Sequence, residues 1–186
     1  HGINAPKIVS FDIELGLILM SDFGNQTFLE VLDNNNAQEL YTNAIDSLLN
    51  IQVKVDTKEL KDYSDKLLIN EMLLFLEWYL KKFKNYKLKD QKVLNEIFIM
   101  ISKKSLLQSK GFVHRDYHSR NLMLVNENNP GILDYQDAVS GPLSYDLVSL
   151  LKDAYIKWDE EFVIDQAVRY WEKASKIGLI QNEDFS

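Results

Sequence analysis

The chain has 186 residues, 46% of them hydrophobic and 26% charged, with a formal net charge of −7 and no cysteine. A polypeptide of this length buries about 70% of its unfolded surface on folding, enough for a core of its own. The acidic balance speaks against a nucleic-acid-binding stripe, and the lack of cysteine removes disulfides, thiol catalysis and cysteine-ligated zinc. No apolar run reaches the length of a membrane-spanning helix and no signal-peptide pattern opens the chain; the expectation is a cytoplasmic protein with neither nucleic acid nor membrane as partner.

The sequence starts at His1 rather than methionine, as expected of a piece of a longer protein. Residues 7–11 and 16–20 are short apolar runs on either side of Asp12-Ile13-Glu14 and read as a hairpin. Ser21-Asp22-Phe23-Gly24-Asn25 is a turn cluster. From Thr27 the spacing becomes helical: Phe28, Leu29, Val31 and Leu32 make a short helix, and Asn34-Asn35-Asn36 precede a second one carrying Leu40, Ala44, Ile45, Leu48 and Leu49. The charges of residues 54–62 alternate in sign, which marks a solvated link. Residues 64–84 are the longest periodic stretch and predict one helix burying Leu67, Leu68, Met72, Phe75, Leu76 and Tyr79 on a single face. A further helix over 90–109 is expected to pack under the loop that follows it. Helices are also predicted over 142–155 and 160–176. The first carries Asp146 in its first turn, where the helix dipole favours an anion; the second is closed by Gly178.

Residues 112–146 carry the chemistry. Phe112-Val113 lead into His114-Arg115-Asp116-Tyr117-His118-Ser119-Arg120-Asn121. The apolar run 122–125, a polar turn, and Gly131-Ile132-Leu133-Asp134 then predict two short strands holding polar groups side by side. Asp116 and Asn121 have the spacing H-R-D-x-x-x-x-N, and Asp134 closes the second strand. This is the arrangement of the protein-kinase catalytic loop and its metal-binding aspartate. In it Asp116 orients the attacking hydroxyl and accepts its proton, while Asn121 and Asp134, both hard oxygen donors, suit Mg²⁺ rather than zinc. Asp134 is followed by Tyr135-Gln136-Asp137, and only residues 135–145 separate it from Asp146, which leaves no room for a peptide-docking activation segment.

With these motifs the chain resembles the aminoglycoside phosphotransferase and choline kinase-like family of small-molecule kinases. Its wording, H-R-D-Y-H-S-R-N-L-M and I-L-D-Y-Q-D-A-V-S-G-P-L-S-Y-D, is most similar to the bacterial kinases that phosphorylate the anomeric hydroxyl of N-acetylmuramate or N-acetylglucosamine in cell-wall recycling. The resemblance implies an α+β, protein-kinase-like fold. Residues 1–24 would be the last strands of the small lobe and the hinge, and residues 25–186 a mostly helical large lobe, truncated at both ends. It implies ATP and Mg²⁺ as cofactors and a sugar as acceptor. Met20, Ser21 and Asp22 would form the adenine-binding hinge, with Met123 beneath the base. His118 and Arg120 would steady the loop or the transferred phosphate. Asp146 would brace the loop from below, and His114 would be a packing residue. Glu71, Tyr117 and Asp137 are the candidates for contact with the acceptor.

The departures are as informative. No glycine-rich phosphate loop, strand lysine or acidic helix partner of that lysine occurs, so this stretch taken alone is expected to bind nucleotide poorly and turn over little. Two alternatives stay open at this level: a kinase of an aminoglycoside, choline or homoserine, and a non-catalytic kinase-like binding module.

Overall fold

The computed structural model describes residues 2–88, 90–127 and 129–180. Strands β1 (Ile8–Asp12) and β2 (Leu17–Met20) pair antiparallel around a turn in which Asp12 Oδ1 accepts the Leu15 N–H at 2.9 Å. Lys7 and Ser21 extend the pairing, the Ser21 N–H donating to the Lys7 carbonyl and the Lys7 N–H to Ser21 Oγ, both at 2.9 Å. Every residue of the hairpin strands is exposed, Phe11 by 65% and Leu17 by 61%, so their apolar side chains add nothing to the core.

Helix α1 (Phe28–Val31) is capped reciprocally by Thr27 and Glu30. Helix α2 (Ala37–Lys54) is the spine of the molecule. Leu40, Tyr41, Ala44, Ile45, Leu48, Leu49 and Ile51 recur at three- and four-residue intervals and are all buried, the pattern of a helix with one face in the core. Helix α3 (Asp65–Leu74) starts at Ser64, whose side chain accepts the Leu67 N–H at 3.2 Å. The single α-helix expected over 64–84 is not what forms. From Phe75 to Phe83 the winding is π-helical, and at its end the Lys84 N–H reaches back five residues to Tyr79. The wider turn rotates the later residues off the row begun by Leu67 and Leu68. Of the six apolar positions expected to be buried, only Leu68 and Leu76 are, while Phe75 and Tyr79 are each 45% exposed and stack on each other at 5.3 Å.

Helix α4 (Gln91–Leu106) packs beside α3 and against strand β6 (Val139–Pro142). Strand β3 (Lys110–Val113) pairs antiparallel with β6, and β4 (Leu122–Met123) with β5 (Gly131–Ile132). Helix α5 covers Ser144–Leu151 rather than 142–155, because Pro142 is already committed to β6. Helix α6 (Glu160–Lys176) is N-capped by Asp159 and is followed by Gly178, whose φ of +74° lets the Leu179 N–H return to the Ala174 carbonyl at 2.9 Å. Side chains of α2, α5 and α6 close on Phe112, Tyr117, Leu122 and Ile132, so the core lies directly behind the two short sheets.

Candidate active site

Strand β3 delivers the chain into the loop at 114–121 through His114, which is 1% exposed. The Asp116 N–H approaches His114 Nδ1 at 3.3 Å, so the ring proton sits on Nε2 and is donated to the Leu133 carbonyl at 2.9 Å. Burial pushes the imidazole below its ordinary pKa, which keeps it in this neutral form. Below it, fully buried Asp146 accepts the His114 N–H at 2.7 Å and the Arg115 N–H at 3.0 Å, one on each carboxylate oxygen. Burial raises the Asp146 carboxyl to about 7 and the two N–H bonds pull it down. Arg115 stands at φ +79°, and the next residue, Asp116, is exposed.

The second loop is fastened to the first on both sides of Leu133: its carbonyl takes the His114 proton, and its N–H donates to the Asn121 carbonyl at 2.9 Å. Asn121 Nδ2 donates to the Asp116 carbonyl at 3.0 Å, which leaves its amide oxygen as the available donor atom. Asp134 follows at φ +65° with an exposed carboxylate, approached closely by the Gln136 amide. Asp116, Asn121 and Asp134 thus belong to one hydrogen-bonded unit. Among the described residues no three His, Cys, Asp or Glu side chains cluster to hold a metal ion by themselves. An amide oxygen and one carboxylate fit Mg²⁺, which is commonly held by one or two carboxylates together with substrate phosphates.

Ser119 donates its N–H at 2.9 Å and its hydroxyl at 2.5 Å to Asp153, a brace the sequence offered no signal for. Tyr155 stands between His118, edge-on at 5.6 Å, and Arg120, whose guanidinium lies 5.0 Å from the ring centre. Among the described residues His118 Nδ1, buried, has no hydrogen-bond partner. Behind the hairpin, the Gly24 N–H caps Asp22 at 2.8 Å, and the Phe23 ring lies where a side chain on Gly131 would stand, 2.7 Å from an ideal Cβ. The Leu124 N–H donates to the Gln26 carbonyl at 2.8 Å, which sets buried Met123 beside this segment, while Met20 is 47% exposed.

The acceptor candidates separate. Tyr117 is fully buried and donates its hydroxyl to the Ala44 carbonyl at 2.8 Å, which makes it a core residue and withdraws it from contact with an acceptor. Glu71 has its carboxylate engaged by Arg115 at 2.6 Å and by the hydroxyls of Tyr63 and Tyr145. Asp137 is exposed and lines, with Gln136, Arg115 and Asn70, a cleft of about 640 Å³ beside the Asp134 loop.

The chain is 42% identical over 181 residues to an N-acetylmuramate/N-acetylglucosamine kinase of Pseudomonas aeruginosa (strain PAO1), covering 96% of this chain and 53% of that protein. It is 39% identical to the protein of the same name from Neisseria meningitidis serogroup B, covering 98% and 56%. It therefore spans about half the length of the curated relatives it matches. In three dimensions it superposes on an aminoglycoside phosphotransferase from Streptomyces rimosus solved with ADP and streptomycin, with a TM-score of 0.68 at 13% identity over 98% of this chain and 71% of that one. A choline kinase from Streptococcus pneumoniae gives a TM-score of 0.57 at 14% identity, over 98% and 69%. The fold is accordingly the protein-kinase-like one that these enzymes share. The sequence profile described as the phosphotransferase enzyme family matches residues 1–177, a span that takes in both fastened loops and the carboxylate beneath them, and the chain belongs to that family.

Proposed function

We propose that this chain is the catalytic part of an ATP-dependent small-molecule kinase that phosphorylates the anomeric hydroxyl of N-acetylmuramate or N-acetylglucosamine, in the cytoplasm. The observation that carries the reading is the unit formed by Asp116, Asn121 and Asp134, held together through His114 and Leu133. Phosphoryl transfer through a loose transition state needs positioning more than a strong base. Asp116, exposed at the loop's surface, orients the acceptor hydroxyl and takes its proton late. The Asn121 amide oxygen and the Asp134 carboxylate would hold Mg²⁺, which would neutralise charge on the nucleotide phosphates. Residues 20–22 and Met123 would receive the adenine, and His118 and Arg120 would steady the loop or the transferred phosphate. The choice of acceptor rests on the names of relatives near 40% identity. Asp137 and its cleft are the acceptor side.

The test uses the full-length protein that contains this chain. Purified enzyme is given ATP, Mg²⁺ and, separately, each amino sugar, choline and an aminoglycoside, and both ADP release and the phosphorylated product are measured. The expected product is a sugar 1-phosphate, with Asp116→Ala lowering kcat by at least about 10²-fold while Mg·ADP still binds. Turnover only of choline or the aminoglycoside overturns the acceptor assignment. Full activity of Asp116→Ala overturns the mechanism.

A further inference from the structure

Arg115 is bonded at both ends. A long, non-glycine residue in the left-handed region is strained and persists only where its surroundings hold it. The Asp146 carboxylate secures the Arg115 N–H at 3.0 Å. The far end of the side chain is secured from α3, forty-four residues earlier, by Glu71 Oε1 at 2.6 Å. The two side chains are 26% and 25% exposed, sheltered enough for the pair to outweigh a freely solvated one. Glu71 is itself oriented: its other oxygen accepts the Tyr145 hydroxyl at 3.3 Å and, closely, the Tyr63 hydroxyl. Tyr63 is in turn locked against β6, its N–H donating to the Ser140 carbonyl at 2.8 Å and its ring filling the space over Gly141. Burial pushes both phenols above their ordinary range, so both remain donors at neutral pH. The second guanidinium nitrogen, Nη1, reaches the Asp137 carbonyl at 3.5 Å.

Arg115 therefore links α3, the loop that bears Asp116 and the loop that bears Asp134. We propose that Glu71 is a positioning residue for phosphoryl transfer: by holding the Arg115 guanidinium it fixes the left-handed backbone step immediately before Asp116 and so aims the Asp116 carboxylate. This rests on the kinase reading above. It assigns Glu71 a role away from the acceptor and gives the Tyr63 and Tyr145 hydroxyls the task of orienting its carboxylate.

The experiment compares Glu71→Gln, Arg115→Gln, their double variant and Tyr63→Phe in the full-length protein. Glu71→Gln is expected to lower kcat about 10–100-fold, the cost of a small misplacement of a reacting group, with acceptor KM and the Kd for Mg·ADP unchanged within about twofold. The double variant should be no slower than Arg115→Gln alone, because the two side chains act as one device. Tyr63→Phe keeps the packed ring and drops only the hydroxyl; kcat should fall several-fold with no change in Tm, which supplies the reading should Glu71→Gln fail to fold. A rise in acceptor KM with kcat intact places Glu71 on the acceptor instead and overturns the proposal, as do multiplicative losses in the double variant or an unaffected Tyr63→Phe. Amide hydrogen exchange at residues 114–116 gives a readout independent of turnover. It should quicken in Glu71→Gln even if the wild-type protein phosphorylates none of the acceptors, an outcome that defeats the kinase reading alone; unchanged exchange defeats the positioning role.

Discussion

His114, at the start of the loop at 114–121, and Asp146 beneath it respond to pH in opposite senses. Burial depresses the His114 pKa below 6.5, so in mild acid the unfolded chain takes up a proton that the folded protein refuses, and stability falls as pH drops below about 6.5. Asp146 is raised from 3.8 to about 7, so between these values the folded protein keeps a proton that the unfolded chain has shed; its contribution falls as pH rises toward 7 and is level above it. The unmodified protein displays only the difference between the two slopes. Thermal unfolding of His114→Gln from pH 4.5 to 8 should lack the acid-side loss, while Asp146→Asn should steepen it; curves parallel to the parent's in both variants would contradict the assignment. Asp146→Ala strands two buried N–H donors and is expected to cost about 3 kcal/mol, read as a drop in denaturation midpoint with loss of turnover. At this scale the sequence was legible where short spacing did the work: Asp116, Asn121 and Asp134 stand out because they lie close together in the chain, on either side of a single short strand–turn–strand. Tyr117 was misplaced because its side chain's direction depends on α2 seventy-three residues away. Ser119 and Asp153 were missed because their bond joins segments that nothing in the sequence connects.

Helix boundaries followed local chemistry wherever a cap was present. Ser64, Asp90 and Asp159 each accept an N–H of the first turn, and the three helices begin where those residues predict. The π-helical stretch after Phe75 escaped detection because hydrophobic spacing assumes 3.6 residues per turn and carries no mark of where the winding widens. The pairing of β3 with β6 was equally hidden, being a long-range contact between four-residue strands. Its close packing gives a prediction. A Cβ on Gly141 would lie 2.8 Å from the Tyr63 Cβ, an atom fixed to the backbone, whereas one on Gly111 would meet the movable end of the Leu143 side chain. Gly141→Ala should therefore destabilise by about 1–3 kcal/mol, more than Gly111→Ala. It should also slow turnover, because Tyr63 cannot move without disturbing Glu71. Equal denaturation midpoints for the two variants would refute the ranking.

Over the whole molecule, buried surface is unevenly spread. The helical body closes on a continuous core, while the hairpin shows apolar side chains on both faces, Ile8, Phe11, Leu15 and Leu17 among them, each 59–70% exposed. Exposed apolar area on this scale favours association. The 186-residue chain expressed alone should bind a hydrophobic fluorescent dye and self-associate, and Phe11→Ser with Leu17→Ser should reduce both; dye binding unchanged by the pair would locate the sticky surface elsewhere. Its affinity for Mg·ADP, measured by calorimetry, should be weaker than that of the full-length protein. The placing of the helical body was legible from the periodicity of α2, whereas the exposure of the hairpin was not, since its apolar runs carry no sign of whether anything covers them.

Both roots of that hairpin bear on the same strand. Ahead of it, the Asn4 carbonyl takes the Ile132 N–H at 2.8 Å; behind it, the Phe23 ring rests on Gly131. Any rocking of the hairpin thus pivots on the two residues that run into Leu133 and Asp134. On the kinase reading proposed above, pressure applied from the hairpin side would reach the Asp134 carboxylate through a fulcrum two residues away.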